Sequence, residues 1–217
     1  HNTTNHQTRQ NSYANGSRFH ITATTFHLTC VRPPLDNIRT NVRHYQERNA
    51  VSDRVILHSD MNCFYANVEC FQRTEIRDKP VVVGGHEESR HGIVLAKNEI
   101  AKRFMVKTGE ALWQARQKCP GLIVIPPDYQ LYMKFSRMAR DIYYDYTNQV
   151  EPFGPDECWL DVTDSMNLWC HDPLIIAREI SERVKAELGI TVSIGVSWNK
   201  IFAKFGSDYK KPDAITV

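Results

Sequence analysis

From residue 54 to the end of the chain, short apolar runs alternate with longer amphipathic stretches. Runs with the length and composition of β-strands lie at 55–59, 81–83, 93–96, 122–125, 158–162, 191–197 and 214–217. Apolar residues at helical spacing predict helices at 64–71, 98–105, 110–118, 129–147, 173–188 and 199–209. Asp172 as N-cap, Pro173 in the first turn and Gly189 beyond the last turn delimit the helix at 173–188 most sharply. Because strands and helices alternate without a repeat, the chain is predicted to form an α+β domain, a mixed α/β sheet covered by helices.

The aromatic residues of the predicted helix 129–147 could indicate either packing or base stacking. They recur at helical spacing, which favours packing against the sheet over stacking on nucleic-acid bases. The acidic residues Asp141 and Asp145 of the same helix are predicted to lie on its solvated face.

The first fifty residues differ in kind from the rest. They are rich in Asn, Thr, His and Arg and have only weak periodicity, with a possible strand at 19–31 and a possible short helix at 38–48. They carry six basic and two acidic residues, which leaves 21 basic and 23 acidic residues for the remainder. We interpret this segment as a leader or an added extension and assign it no chemistry. Nucleic-acid-binding domains are usually clearly basic, so any nucleic-acid contact by the main body is local or depends on further domains.

Composition argues against several classes of protein. No apolar run approaches the ~18 residues of a membrane span, and the first residues lack the basic start and apolar stretch of a secretory signal. The six cysteines are scattered without a C-x-x-C pair, which favours reduced thiols over a disulfide scaffold or a zinc site. These features predict a cytoplasmic protein with no membrane partner.

Acidic residues stand at the edges of two predicted strands. Asp60 ends the first strand, and Asp156 and Glu157 open a later one. Carboxylates from different strand ends can converge on a hard divalent cation, and two such ions can catalyse in-line displacement at phosphorus. Spacing alone leaves open whether these residues bind metal or are ordinary solvated turn residues.

Longer motifs surround these acidic residues. Residues 58–69 (HSDMNCFYANVE) resemble the opening motif of Y-family, UmuC-like translesion DNA polymerases, in which an Asp ends the first palm strand and an aromatic pair begins a helix. Residues 154–165 (GPDECWLDVTDS) are similar to the second motif of that family, and 193–204 (SIGVSWNKIFAK) to the third. The resemblance covers 54–217. It implies a polymerase palm at 51–71 and 131–217 and a small fingers lobe at 72–130, with the thumb and C-terminal DNA-gripping domain absent from this chain.

The resemblance also implies the catalytic residues. Asp60, Asp156 and Glu157 fall on the metal-binding carboxylates of the family, and Met61 on the residue that lends its backbone carbonyl to the nucleotide-side metal. The implied ions are two Mg²⁺, with Mn²⁺ as a possible substitute. Asn62 stands where many relatives carry an Asp, so we do not expect it to bind metal.

Further positions are implied to bind the nucleotide. Phe64 and Tyr65 fall on the aromatic pair, and Tyr65 on the steric gate, whose rigid ring collides with a ribose 2′-hydroxyl. The alternative is that Tyr65 is a core aromatic. Lys204 and Lys102 are implied to contact the triphosphate as point charges. Glu99 occupies a position where the family usually has a Tyr, and it would repel the triphosphate unless it points away.

The implied function is template-directed transfer of a dNTP to a primer 3′-hydroxyl across damaged DNA. The implied partners are primer–template DNA, dNTP and a sliding clamp that the missing C-terminal parts would contact. We expect the fragment to bind DNA weakly and to be poorly active alone. Two alternatives remain: a nucleotidyl cyclase, against which Tyr65 argues, and a non-catalytic palm module, against which the intact carboxylates argue.

Overall fold

The computed structural model describes residues 54–85 and 92–217, and these belong to one compact unit, Glu47–Val217. The strands are β1 Ile56–Met61, β2 Val81–Gly84, β3 Val94–Lys97, β4 Ile123–Ile125, β5 Val150–Phe153, β6 Glu157–Asp161, β7 Val192–Ser197 and β8 Ile215–Thr216. The α-helices are α1 Phe64–Gln72, α2 Glu99–Arg103, α3 Leu112–Lys118, α4 Tyr129–Tyr144, α5 Pro173–Leu188 and α6 Lys200–Tyr209. Short 3₁₀ helices span Thr74–Ile76 and Thr163–Trp169. The strand and helix predicted within the first fifty residues lie outside the described residues.

The described strands form two mixed sheets. The larger has the order β5-β6-β1-β7-β8, with β1 antiparallel to both neighbours and β8 parallel to β7. The smaller has the order β3-β2-β4, in which β2 is antiparallel to β3 and parallel to β4. This architecture confirms the predicted α+β fold. All strands of the smaller sheet come from residues 81–125, and the division into palm and fingers at 72 and 130 stays a prediction.

The two faces of the larger sheet are covered by different helices. Side chains alternate along a strand, so neighbours on β1 point to opposite faces. The Ser59 hydroxyl lies 3.0 Å from the hydroxyl of Tyr143 on α4, whereas Nδ1 of His58 lies 2.7 Å from the hydroxyl of Ser207 on α6. Asp60 is two residues from His58 and therefore points to the face that α6 partly covers.

Helix α5 shows how local sequence sets an element. It begins at Pro173 and ends at Leu188, as predicted, and the Asp172 carboxylate accepts a hydrogen bond from the Leu174 amide at 2.9 Å. Gly189 closes it with φ of 65°, in the left-handed region. Among residues 54–85 and 92–217, no helix has the length and apolar character needed to cross a bilayer.

Candidate active site

Strand pairing gathers the predicted carboxylates at one end of β1. In the antiparallel pairing of β1 with β6, Asp60 lies opposite Glu157. The backbone amide of Met61 donates to the carbonyl of Asp156 at 3.0 Å, which fixes the residue just before β6 beside the end of β1. Asp60 lies one residue inside β1 rather than at its end, because the strand continues through Met61. Two stretches almost a hundred residues apart thus meet in the backbone at Asp60, Asp156 and Glu157.

Two lysines from the C-terminal part of the chain contact these carboxylates. Lys204 on α6 forms an ion pair with Glu157. Lys211, two residues beyond α6, forms an ion pair with Asp60 and a second one with Asp208 at 2.7 Å. The sequence predicts Lys204 as a site residue but not Lys211, although Lys211 closely follows the third motif.

Burial makes the negative charges of the site costly. Asp60 is 5% exposed, and burial raises its pKa to about 6 although the hydrogen bond from Lys211 acts in the opposite direction. Burial, with a contribution from the charge of Glu157, also raises the pKa of Asp156. His58 lies 3.1 Å from the Glu157 carboxylate, and its own burial lowers its pKa to about 4, so it is neutral at neutral pH. Positive charge at the site comes therefore from lysines, and the carboxylates would gain from any bound cation.

The donor set suits a hard divalent cation. Asp60, Asp156 and Glu157 offer only carboxylate oxygens, the ligands that such ions take. No group of three His, Cys, Asp or Glu side chains is gathered closely enough to hold a metal ion in the part of the chain that the structure describes. The ammonium groups of Lys204 and Lys211 contact two of these carboxylates instead. The chemistry of the donors therefore suits a divalent cation, which would have to displace these two ammonium groups.

Asn62 has a structural use next to the site. Its side-chain oxygen accepts from the Ser193 hydroxyl at 2.9 Å, and its amide nitrogen donates to the Thr191 hydroxyl at 3.1 Å. Both partners lie in or just before β7. These bonds link the end of β1 to β7 and engage the side-chain oxygen, which is the atom of Asn62 that could otherwise bind a metal.

Four aromatic rings of α1 and α4 pack together. Tyr65 on α1 stacks on Tyr132 of α4, with ring centroids 4.2 Å apart and planes 15° apart. Tyr129 meets the Tyr65 ring edge-on at 6.1 Å, and the buried Phe64 lies 5.5 Å away. Burial and the nearby charge of Asp156 raise the pKa of Tyr65. The Tyr65 ring is thus partly buried, supported by other rings and within the electrostatic influence of Asp156.

Glu99 and Lys102, the two residues of α2 considered in the sequence analysis, contact each other. Lys102 forms a 3.4 Å ion pair with Glu99, and its side chain is 53% exposed. The Glu99 carboxylate also accepts from the thiol of Cys63 at 3.3 Å, immediately before α1. Glu99 therefore has a cationic partner of its own in Lys102.

Comparisons with known proteins agree with these motifs. The family model described as IMS, the impB/mucB/samB family, matches residues 59–208. A DNA polymerase IV of Acetivibrio thermocellus is 62% identical over 164 residues, which are 76% of this chain and 41% of that protein. A DNA polymerase IV of Clostridium acetobutylicum is 39% identical over 170 residues, which are 76% of this chain and 42% of that protein. The chain thus spans about two fifths of the length of these relatives.

Solved structures resemble the fold as well. An insertion ternary complex of Dbh DNA polymerase has a TM-score of 0.70 at 29% identity and covers 75% of this chain and 48% of its own. DinB from Sulfolobus solfataricus has the same TM-score and identity and covers 75% and 47%. The larger and smaller sheets described above are therefore parts of an architecture found in solved Y-family polymerases.

Proposed function

Since this chain belongs to the impB/mucB/samB family, we propose that it carries the nucleotidyl-transfer site of a Y-family DNA polymerase that copies damaged template strands. The observation that carries the proposal is the pairing of Asp60 with Glu157 across β1 and β6, with Asp156 bonded to the same strand end. The reaction would transfer a dNTP to a primer 3′-hydroxyl. Primer–template DNA and dNTP would be the partners of this region, in the cytoplasm, and a sliding clamp would be contacted by residues outside this chain.

Asp60, Asp156 and Glu157 would hold two Mg²⁺ ions, for which Mn²⁺ could substitute, and the Met61 carbonyl would add a ligand. Such ions, when bound, activate the attacking hydroxyl and stabilise the leaving pyrophosphate. The protein's own contribution is positional: the β1–β6 pairing holds the carboxylates in place before substrate arrives. The buried position of Asp60 makes its charge expensive without a cation, which favours cation binding at this site.

Lysines would bind the triphosphate. Lys204 and Lys211 are held against Glu157 and Asp60, so each stands beside a carboxylate where phosphate oxygens would enter. An ammonium group on a flexible stem can exchange a carboxylate for a phosphate partner. Lys102, from the predicted fingers lobe, already has Glu99 as a partner and would contribute a weaker contact.

Tyr65 would exclude ribonucleotides. Its ring stacks on Tyr132 and has Phe64 as a second aromatic neighbour, and the charge of Asp156 contributes to raising its pKa. A rigid ring under the sugar leaves room for a 2′-hydrogen but collides with a 2′-hydroxyl. This arrangement supports a DNA polymerase over a nucleotidyl cyclase, which must accept ribose.

Primer extension tests the proposal. The chain would be incubated with a primed template, Mg²⁺ or Mn²⁺, and dNTPs or rNTPs, beside Asp156→Ala and the matched control Asp141→Ala, which removes an exposed carboxylate of α4. We expect weak template-directed, dNTP-selective extension, because the chain spans only about two fifths of its relatives, and we expect Asp156→Ala to abolish it and Asp141→Ala to preserve it. Extension that survives Asp156→Ala, or a cyclic product made from rNTP without template, would contradict the proposal.

A further inference from the structure

The ring of Tyr65 is supported by contacts that end at a buried ion pair. Tyr65 stacks on Tyr132 at 4.2 Å, and the Tyr132 hydroxyl donates to Oε1 of Glu69 at 2.6 Å. Glu69 is fully buried, and its other oxygen, Oε2, pairs with Arg73 one helical turn later. Neither Glu69 nor Tyr132 has a part in the chemistry proposed above, although together they hold a ring that does.

The energetics of this arrangement fix the Tyr132 ring. A buried carboxylate is costly unless its oxygens are paired, and both oxygens of Glu69 are used, by Tyr132 and Arg73. Burial and the hydrogen bond to Glu69 raise the pKa of Tyr132, so its hydroxyl remains a donor throughout the neutral range. Rotation of Tyr132 would leave Oε1 of Glu69 without its donor. Tyr132 therefore presents a fixed face to Tyr65.

Glu69 and Tyr65 lie on the same helix, four residues apart, and Tyr132 bridges them from α4. Residues at this spacing share one face of a helix. Tyr65 and Glu69, the two residues that Tyr132 contacts, are therefore both positioned by α1. The position of the Tyr65 ring relative to α1 depends on its contact with Tyr132.

We propose that Tyr132, anchored by Glu69, is the positioning residue that sets how strictly Tyr65 discriminates against ribonucleotides. The inference rests on the proposed function, because it concerns the sugar selectivity of that same site. Rejection by a clash depends on where the ring stands, and a displacement of ~1 Å in an active site can change a rate about a hundredfold. Loosening Tyr132 admits ribose while the metal-binding carboxylates stay in place.

The test compares sugar selectivity in three variants. Tyr132→Leu removes the stacking ring, Tyr132→Phe keeps the ring but removes its hydrogen bond, and Glu69→Gln keeps an oxygen that can accept that bond. The matched control is Tyr146→Leu. Tyr146 is also a buried tyrosine that donates to a glutamate, Glu179 at 3.2 Å, and packs on an aromatic ring, and it lies two residues beyond the end of α4.

For each protein, the ratio of kcat/KM for dGTP to that for GTP would be measured by single-nucleotide incorporation with Mg²⁺. The ratio of the Kd values for the two nucleotides, from equilibrium dialysis, gives a readout that needs no turnover. We expect Tyr132→Leu to reduce the selectivity at least about tenfold and Tyr132→Phe about threefold, both by admitting GTP more than by losing dGTP. Glu69→Gln and Tyr146→Leu should keep the selectivity of the parent chain.

Tyr65→Ala separates failure of the inference from failure of the proposed function. If Tyr65→Ala admits GTP but Tyr132→Leu keeps the parent selectivity, Tyr132 does not position the ring and the inference is wrong. The same conclusion follows if Tyr146→Leu lowers selectivity as much as Tyr132→Leu, because the effect would then be general destabilisation. If Tyr65→Ala leaves the selectivity unchanged, Tyr65 is not the steric gate and the inference is wrong with it. If the parent chain neither binds nor incorporates dGTP, the proposed function itself is contradicted.

Discussion

Asp60 gives a prediction in which stability and proposed activity move in opposite directions. Its carboxylate is buried inside β1, and burial raises its pKa from 3.8 to about 6. Asparagine has nearly the same shape and no charge, and its side-chain oxygen can still accept from Lys211. We therefore expect Asp60→Asn to stabilise the metal-free protein at neutral pH and to abolish nucleotidyl transfer.

The size and pH dependence follow from linkage. A shift of about two pH units at about 1.36 kcal/mol each gives a ceiling of about 3 kcal/mol. Because the folded pKa lies above the unfolded value, the protonated group favours the folded state below pH 3.8, and this contribution is lost as the pH rises through about 6. The advantage of Asp60→Asn is therefore largest above pH 6 and shrinks as the pH falls toward 4. For a protein of this size, 1–3 kcal/mol corresponds to a rise in Tm of about 2–12 °C.

Thermal unfolding followed by circular dichroism at pH 5 and pH 8, in the presence of a chelator, measures the effect. Asp161→Asn is the matched control, because Asp161 lies on the neighbouring strand β6 but has the opposite electrostatics. Although its partial burial acts to raise it, the pKa of Asp161 is lowered by hydrogen bonds from Thr163 and Arg54. The ionised Asp161 carboxylate therefore adds to the free energy of unfolding at pH values above its unfolded pKa. Asp161→Asn removes this contribution and should destabilise the protein at pH 8. An Asp60→Asn protein no more stable than the parent at pH 8 would refute the reasoning.

Two further predictions concern the fold. Gly195→Ala would place a Cβ 1.9 Å from the carbonyl oxygen of Ala203, so α6 must shift away from β7, and we expect a loss of about 3 kcal/mol in urea unfolding. Gly121→Ala, where no atom lies within 4 Å, is its control, and equal losses for the two variants would contradict the packing argument. Asp172→Ala should cost about 1 kcal/mol by removing the N-cap of α5. Asp172→Asn, which keeps an acceptor, should cost less, and the same urea titration would show whether it does.

Most elements could be predicted because their hydrophobic pattern and their ends agree. The cap, first-turn proline and terminal glycine of α5 are local signals, and they gave its bounds to the residue. Strand β5 was not predicted. It contains Pro152 and an exposed Glu151, and a proline is tolerated in it because β5 is an edge strand bonded only to β6. The edge position of β5 depends on the tertiary fold, and the sequence of residues 150–153 alone does not predict it.

In the candidate site, too, local motifs predict some features and the tertiary fold determines the others. Motifs surrounding Asp60 and Asp156 predict a role for each, but only the register of β1 and β6 brings Asp60 opposite Glu157. The ion pair of Lys211 with Asp60 joins residues 151 positions apart, so no local pattern predicts it. The aromatic spacing of 129–147 correctly predicts that Tyr132 is packed. It cannot predict that the ring packed against Tyr132 is that of Tyr65.

The lysines offset the repulsion between the neighbouring carboxylates. Neighbouring carboxylates repel each other, and burial removes part of their hydration. An ion-pair partner offsets only part of this cost in free energy. Lys204 and Lys211 supply that partner from α6 and the segment after it. Both side chains are about one third exposed, so each can swing toward a phosphate at little cost in desolvation. Lys204 and Lys211 would therefore have two roles: they neutralise the carboxylates, and they would receive the triphosphate. The same two ammonium groups would then serve both the stability of the site and the binding of its proposed substrate.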